Sequence, residues 1–252
     1  MAWPVQLELR PRTWGGRRPG AGRKPSGQRV GVPHRPRPDH VPRHPAHVTL
    51  RAHADLPSLR GDQLFPTLRR CLAQGSRGGV RILHFSVQTN HLHLIVEADA
   101  QTAFSRGLQG LVIRLAKGIN RTLGRRGRVW GDRYHARALR TPREVRNALL
   151  YVLQNWRRHR VGTGALDPCS SAVWFDGWVR SVPSAVGARP VVPPRTWLAA
   201  VGWRRQGLIH FEEMPARAIA RRISPTRRAL TGASPRSGGQ RSAPTRPGTN
   251  DS

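Results

Sequence analysis

The chain has 252 residues, in which 44 Lys and Arg stand against 13 Asp and Glu, so its formal net charge is +31. This charge repels cationic ligands and attracts any polyanion. All but two of the basic residues are arginine, whose planar guanidinium matches phosphate bidentately and stacks on bases. The composition therefore favours a nucleic-acid-binding protein, although a GC-rich genome also drives lysine towards arginine.

Several other classes of protein are excluded. The two cysteines, Cys71 and Cys169, form no CxxC pattern, which argues against a zinc finger or a disulfide framework and favours a reducing cytosol. The N-terminus has no long apolar core after a basic start, so we expect no signal peptide. No apolar run approaches the roughly 20 residues that a membrane helix needs.

The composition divides the chain into four parts. Residues 1–46 hold ten Arg and Lys and residues 216–252 hold eight, each with many Pro, Gly or Ser. Such segments cannot bury enough apolar surface to order themselves, so we predict two disordered basic arms. Between them we predict a compact folded domain over 47–160 and an appendix over 161–215, in which Trp174, Phe175, Trp178 and Trp197 pack more readily than they stack on bases.

Within the middle of the chain, apolar alternation and helical spacing predict seven elements in order. They are a strand over 47–51, a helix over 62–74 that Asp62 can cap, strands over 80–87 and 91–97, a long helix over 101–123, an extended segment over 128–140, and a helix from Thr141–Pro142 to about His159. The first six match the ferredoxin-like split βαβ arrangement. We therefore predict an α+β fold, with helices on one face of a four-stranded antiparallel sheet and one further C-terminal helix.

Two histidines one residue apart stand out in the second strand of the predicted hairpin. Side chains at i and i+2 share one face of a strand, so His91 and His93 lie side by side, while Leu92 and Leu94 point into the core. On an exposed sheet face, two neighbouring imidazoles can act as two ligands of a metal ion, and a third ligand is then needed. The motif is short, and two ordinary polar-face histidines explain it equally well.

The chain has only two tyrosines, Tyr134 and Tyr151. Tyr151 and Asn155 lie one turn apart, beside the apolar stripe of the last predicted helix, so a phenol and an amide can serve one site. A boundary tyrosine with a solvated hydroxyl is the structural alternative. Tyr134, which follows Asp132 and Arg133 in the extended segment, is the other tyrosine that could act in a site, and it is thus the rival of Tyr151.

Three motifs, taken together, resemble a known family. Asn90–Val96 (NHLHLIV) is similar to the His-hydrophobe-His strand of HUH single-strand transposases. Residues 127–135 (GRVWGDRYH) and 150–157 (LYVLQNWR) resemble the strand and the catalytic helix of REP-associated tyrosine transposases, and residues 14–25 (WGGRRPGAGRKP) resemble the basic leader ahead of that domain. The resemblance covers roughly residues 45–160, with the elements in the same order.

The resemblance implies a role for each matching residue. Tyr151 is the expected nucleophile, which attacks a phosphodiester of single-stranded, hairpin-bearing DNA and keeps a 5′-phosphotyrosine bond. His91, His93 and Asn155 are the expected ligands of a divalent metal, Mg²⁺ or Mn²⁺. Relatives commonly have Asn-Pro after the tyrosine, whereas this chain has Asn155–Trp156, which leaves the helix uninterrupted.

The expected binding partner and cellular location follow from the same resemblance and from the positive charge of the chain. Residues 101–160 hold 15 Arg and Lys against two acids, which favours a surface that tracks phosphates. The candidate DNA-binding residues lie around the Gly124/Gly127 loop and in the segment after it: Arg121, Arg125, Arg126, Arg128, Arg133 and Arg137. We expect a monomer or homodimer in the bacterial cytoplasm, associated with the nucleoid; in dimeric relatives the tyrosine helix can serve the partner's site.

Three alternatives stay open at this point. An HUH nicking relaxase or replication initiator shares the chemistry but usually places its tyrosine differently relative to the histidines. A non-catalytic DNA-binding protein derived from such an enzyme would keep the basic surface. A zinc hydrolase would need a carboxylate beside His91 and His93, and Glu97 alone shares their strand face.

Overall fold

The computed structural model describes residues 38–156, 166–182 and 187–214. The N-terminal arm up to residue 37, the tail from residue 216 and residues 157–160, where the last predicted helix was expected to end, lie outside these residues. No helix within the described ranges is long and apolar enough to cross a membrane.

The element order agrees with the prediction. The strands and helices are β1 (Ala46–Arg51), α1 (Phe65–Ala73), β2 (Val80–Val87), β3 (His91–Ala98), α2 (Gln101–Thr122), β4 (His135–Ala138), α3 (Pro142–Gln154) and α4 (Trp197–Ala200). The four strands form one sheet in the order β2-β3-β1-β4, and every neighbouring pair is antiparallel. This is the predicted ferredoxin-like α+β fold.

The ends of the helices differ from the prediction in two places. Helix α1 begins at Phe65 with Leu64 as its N-cap and without a side-chain cap, so the expected cap by Asp62 is wrong. Helix α3 begins as predicted, because Thr141 Oγ1 accepts a hydrogen bond from the Glu144 amide and Pro142 occupies the first turn. It ends at Gln154, and Asn155 is its C-cap.

Each face of the sheet is covered by its own apolar core. Helices α1 and α2 pack on one face through a first core that includes Leu68, Leu111 and Leu115, opposite Leu50 and Leu94. Helix α3 packs on the other face, through a second core in which Val145, Leu149 and Val152 meet Leu83 and Ile95. Strands β2 and β3 are thus buried along almost their whole length, on both faces of the sheet.

The described part of the 161–215 segment completes the second core. Phe175 and Trp178 are buried there together with Trp203, which confirms the expectation that these aromatics pack. Trp174 packs against the first core, whereas Trp197 is half exposed. The segment is therefore part of the support behind α3.

A buried ion pair fastens this segment to the rest of the chain. Asp167 accepts two hydrogen bonds from the Arg60 guanidinium, at 2.6 and 3.0 Å, and a third from the Cys169 amide at 3.0 Å. Its side chain is only 1% exposed. Arg60 also donates to the Val87 carbonyl at 2.8 Å, so the pair joins the segment to the end of β2.

Replacing Asp167 with Asn is expected to lower the free energy of unfolding by about 3 kcal/mol, because the buried Arg60 charge loses its counterion. Urea unfolding of the two proteins measures the difference. Asp176→Asn is the matched control: its carboxylate pairs with Arg204 at 2.8 Å but is 79% exposed, so we expect a loss below about 1 kcal/mol. Equal losses for the two variants would contradict this assignment.

Candidate nucleic-acid-processing site

Strand register gathers a set of polar side chains on one side of the sheet. His93 pairs with Thr49 and His91 with Arg51 across β1 and β3, while Thr49 pairs with His135 and His47 with Arg137 across β1 and β4. Because directly paired residues project to the same side, these seven form one surface, which we call the histidine face: His47, Thr49, Arg51, His91, His93, His135 and Arg137.

Three imidazoles of the histidine face are in contact. The His91 and His93 ring centroids are 4.6 Å apart, as expected for an i, i+2 pair, and the His47 ring lies 5.2 Å from that of His93. The Nδ1 atom of His93 lies 3.2 Å from His47 Nε2 and 3.2 Å from Thr49 Oγ1. His93 is therefore held from the β1 side, while its Nε2 atom is buried without a hydrogen-bond partner among the described residues.

The expectation that both histidines lie on an exposed sheet face is wrong for His93, which is 4% exposed. Alternation along a strand predicts which residues share a face, but it does not predict what covers that face. Here α3 lies over it. His91, nearer the end of the hairpin, is partly exposed and donates a hydrogen bond from Nδ1 to Asn90 Oδ1 at 2.9 Å.

Helix α3 places Tyr151 against this cluster. The Tyr151 ring centroid is 5.0 Å from that of His93 and 5.7 Å from that of His47, and both contacts are edge-to-face. Tyr134 instead packs against the first core, on the other side of the sheet. Of the two tyrosines, Tyr151 is the one in contact with the histidines.

The two amides that follow Tyr151 differ in their surroundings. Asn155 is buried and lies one helical turn after Tyr151, at the C-cap of α3. Gln154 Nε2 donates to the His210 carbonyl at 2.7 Å, so the glutamine is engaged with the C-terminal segment. Of the two amides, Asn155 is the one that lies on the same side of the helix as Tyr151.

Burial makes the inner histidines neutral at physiological pH. Desolvation, reinforced by His135 and Arg137, lowers the pKa of His47 to about 4. Desolvation, reinforced by His47 and His91, lowers the pKa of His93 to about 2. A neutral imidazole keeps one nitrogen lone pair for a metal or a hydrogen bond.

The donor set fits a divalent metal as a partial site. The buried, unpartnered Nε2 of His93, with His91 beside it, is what a pair of imidazole ligands requires. No cluster of three or more His, Cys, Asp or Glu residues in the described ranges is arranged to hold a metal. A metal ion bound by this pair would take further ligands from other groups, such as the amide oxygen of Asn155, water or a phosphate oxygen.

The carboxylate that shares this strand is already engaged. Both oxygens of Glu97 accept hydrogen bonds, from the Arg195 amide at 2.9 Å and from the Thr196 amide and hydroxyl at 2.9 and 2.7 Å. Glu97 is 2% exposed. It anchors the C-terminal segment to β3, which leaves a zinc hydrolase at His91 and His93 without its required carboxylate.

The structure places the six candidate arginines in two groups. Arg137 belongs to the histidine face and pairs with Glu144 at 2.8 Å, and the exposed Arg133 precedes it by four residues. The other four lie at the end of α2 or in the loop after it: Arg121, Arg125, Arg126 and Arg128.

The loop has the tight geometry that its glycines predict. Gly124 and Gly127 have positive φ angles of 60° and 105°, which favour glycine. Arg125 is engaged with Asp55 at 3.1 Å, and Arg128 donates to the carbonyls of Trp130 and Gly131. Arg121 and Arg126 are exposed.

His47 and Thr49 are the site residues that sequence reasoning missed. Both lie in the alternating run of β1, so a signal for their shared face was present. Their contact with His93 depends on the register between β1 and β3, which are separated by about forty residues of chain and which no local pattern aligns.

Comparison with known proteins finds similarity among solved structures. No protein-family profile matches the chain, and no curated protein matches it. Among solved structures, the fold is similar to that of a REP-associated tyrosine transposase bound to a REP hairpin, with a TM-score of 0.45 and 18% sequence identity over 54% of this chain and 81% of that one.

Buried neutral histidines make the stability of the fold depend on pH. The unfolded chain protonates histidine near pH 6.5, while burial holds the pKa of His47 near 4 and that of His84 near 3. Their contribution is therefore complete above pH 6.5 and is lost as the pH falls below it, at roughly 1 kcal/mol per pH unit for each histidine.

Urea unfolding between pH 7.5 and 5.0 is expected to show this decline. His84→Gln removes one buried imidazole outside the histidine cluster. In this variant the free energy of unfolding should fall less steeply with decreasing pH, by the roughly 1 kcal/mol per pH unit that one histidine contributes. A free energy of unfolding that is constant over this range, or an unchanged slope in the variant, would show that burial does not suppress protonation.

Proposed function

We propose that the protein is a metal-dependent transposase-type strand transferase, which cleaves and rejoins single-stranded DNA at hairpin repeat elements through a 5′-phosphotyrosine intermediate. The observation that carries this proposal is the contact of Tyr151 with His93, 5.0 Å between ring centroids. Two segments that resemble the transposase family, the His-x-His strand and the tyrosine helix, are remote in sequence and adjacent in space.

Tyr151 is the proposed nucleophile. Its phenol oxygen attacks the phosphorus of a phosphodiester, the bond from phosphorus to the 3′ oxygen breaks, and that oxygen leaves with a proton as a 3′ hydroxyl. The phenol proton is lost, and the 5′ phosphate remains on the tyrosine. A 3′ hydroxyl of another strand then attacks the phosphotyrosine and releases the phenol, so the bond energy is conserved and no ATP is needed.

His91, His93 and Asn155 are the proposed ligands of Mg²⁺ or Mn²⁺. When bound, the ion supplies Lewis-acid polarisation of the phosphate and neutralises charge that develops in the transition state. The histidine face contributes the surroundings: Arg51 and Arg137 lie on it with the imidazoles, and this positive charge attracts a phosphate backbone. Because these protein ligands carry no negative charge, an ion bound here would take further oxygen ligands, such as those of a phosphate, which a hard cation prefers.

The six arginines singled out from the sequence are proposed to position DNA. Arg137 lies on the histidine face and the exposed Arg133 precedes it by four residues; both are proposed to hold the strand that enters the site. Arg121, Arg125, Arg126 and Arg128 surround the glycine loop, where backbone can come close to DNA. The basic arms are proposed to add sequence-independent affinity that weakens with salt.

Tyr151→Phe is expected to abolish the covalent protein–DNA adduct while hairpin binding persists, because only the nucleophilic oxygen is removed. The measurement uses single-stranded hairpin DNA labelled at its 3′ end, since a 5′-phosphotyrosine retains the 3′-side fragment, followed by a denaturing gel. Tyr134→Phe is the matched control and should form the adduct. An adduct in Tyr151→Phe would refute the assignment, and binding without any adduct in wild type would favour a DNA-binding protein that lacks catalysis.

Chelation by EDTA is expected to stop cleavage, and added Mg²⁺ or Mn²⁺ to restore it. His91→Ala should reduce cleavage by more than the roughly 10- to 100-fold that loss of a residue behind a metal ligand costs. His91 suits this test better than His93, because it is partly exposed and its loss leaves no buried cavity. Cleavage at full rate in EDTA would remove the metal from the mechanism.

A further inference from the structure

The orientation of the His93 ring is set by neighbours that are not themselves candidate ligands. Its Nδ1 atom has two polar neighbours on β1, His47 Nε2 and Thr49 Oγ1, each at 3.2 Å. Its Nε2 atom is buried and has no hydrogen-bond partner in the part of the chain that the structure describes. The two ring nitrogens therefore meet different environments, and a neutral imidazole has one proton to place between them.

Hydrogen bonding decides where that proton resides. A proton on Nε2 would be a buried donor without an acceptor, which is rare and costly in proteins. A proton on Nδ1 has two acceptors, the lone pair of His47 Nε2 and the hydroxyl oxygen of Thr49. The second arrangement satisfies the donor and leaves a lone pair on Nε2.

From this arrangement, the geometry points to His47 and Thr49 as positioning residues, which hold His93 in the Nδ1–H tautomer and present its Nε2 lone pair as a metal ligand. The part of this inference that concerns the metal rests on the proposed function, whereas the tautomer stands on the hydrogen bonds alone. Neither residue needs to touch DNA or the ion, because ligand orientation by a second layer of hydrogen bonds is sufficient to tune a metal site.

The location of the two residues supports this role over simple packing. Both lie on β1 and face β3, so the rigid ladder between these strands fixes their distance from His93. His47 additionally contacts the Tyr151 ring, 5.7 Å between centroids. The same side chain thus lies against the proposed ligand and the proposed nucleophile, and it keeps the two rings in a defined relation.

The first test reads the tautomer directly, without metal or DNA. In full-length protein labelled with ¹⁵N-histidine, long-range ¹H–¹⁵N correlation distinguishes the Nδ1–H and Nε2–H forms, with the His93 signals assigned by their loss in His93→Asn. We expect wild type to show the Nδ1–H form and the double variant His47→Phe/Thr49→Val to lose this preference. An Nε2–H or mixed form in wild type would overturn the inference.

The second test measures Mn²⁺ affinity by electron paramagnetic resonance, with saturating hairpin oligonucleotide and every variant in a Tyr151→Phe background. The double variant should bind Mn²⁺ roughly 10- to 100-fold more weakly. Thr49→Ser, which keeps the hydroxyl, should retain the wild-type affinity. Thr122→Val is the matched control, because it removes a hydroxyl that bonds to Thr67 at 3.0 Å, away from the histidine face.

The outcomes separate this inference from the proposed function. Unchanged Mn²⁺ affinity in the double variant would overturn the positioning role, even if wild type cleaves DNA. Absence of Mn²⁺ binding in wild type would refute the proposed metal, and the tautomer spectrum would then decide the role of His47 and Thr49 by itself. If the double variant does not fold, the single variants His47→Phe and Thr49→Val, each expected to have an intermediate effect, provide the same two measurements.

Discussion

The register between β1 and β3 is the constraint on which the rest of the structure depends. With Thr49 opposite His93, the apolar residues of β1 and those of β3 other than Ile95 face α1 and α2, and the polar residues face α3. A slip of one residue in either strand would exchange its two faces. A slip of β1 would move Leu50 out of the first core, and a slip of β3 would move Leu94 out of it and His93 into it. The packing that fixes the register therefore also assembles the histidine face.

A sheet that is covered on both sides has an energetic cost at its polar positions. His93 and Ser86 pair across β2 and β3 and are both buried, so their polar atoms need partners in place of water. Ser86 accepts a bond from Gln88 Nε2 at 2.6 Å, and His93 has the β1 side chains at Nδ1. Among the described residues, the Nε2 atom of His93 is one of four buried side-chain atoms without a hydrogen-bond partner, and each such atom in a folded protein calls for an explanation, of which a functional role is one.

Much of the fold could be predicted from local pattern. The alternation of apolar residues predicts β1, β2 and β3. The stripe of five apolar residues along α2 predicts that helix, and the capping box of Thr141 and Glu144 predicts the start of α3. The element order alone leads to the ferredoxin-like sheet. The start of α1 was predicted three residues early, because Asp62 is a favourable cap residue by type while the chain turns into the helix only after Leu64. Such boundaries depend on tertiary contacts of the preceding loop.

The site was predictable only as far as its members are close in sequence. His91 with His93, and Tyr151 with Asn155, follow from strand and helix periods. The contact between the two pairs was expected from family resemblance, since no local pattern brings β3 and α3 together. His47 and Thr49 escaped prediction because their role arises from pairing between strands, and the burial of His93 escaped it because α3 and its supporting segment cover the histidine face.

The attachment of α3 bears on how two copies of the chain could share a site. Arg146, near the start of this helix, donates to the carbonyls of Gly207 and Leu208 and forms a bidentate pair with Glu213 at 2.6 and 2.8 Å. Gln154, at its end, donates to the His210 carbonyl. A helix tied at both ends to residues 207–213 cannot be exchanged between protomers by itself. A swap of Tyr151 between two protomers would either carry that segment along or break these bonds first, whereas in the described arrangement Tyr151 lies against the histidines of its own chain.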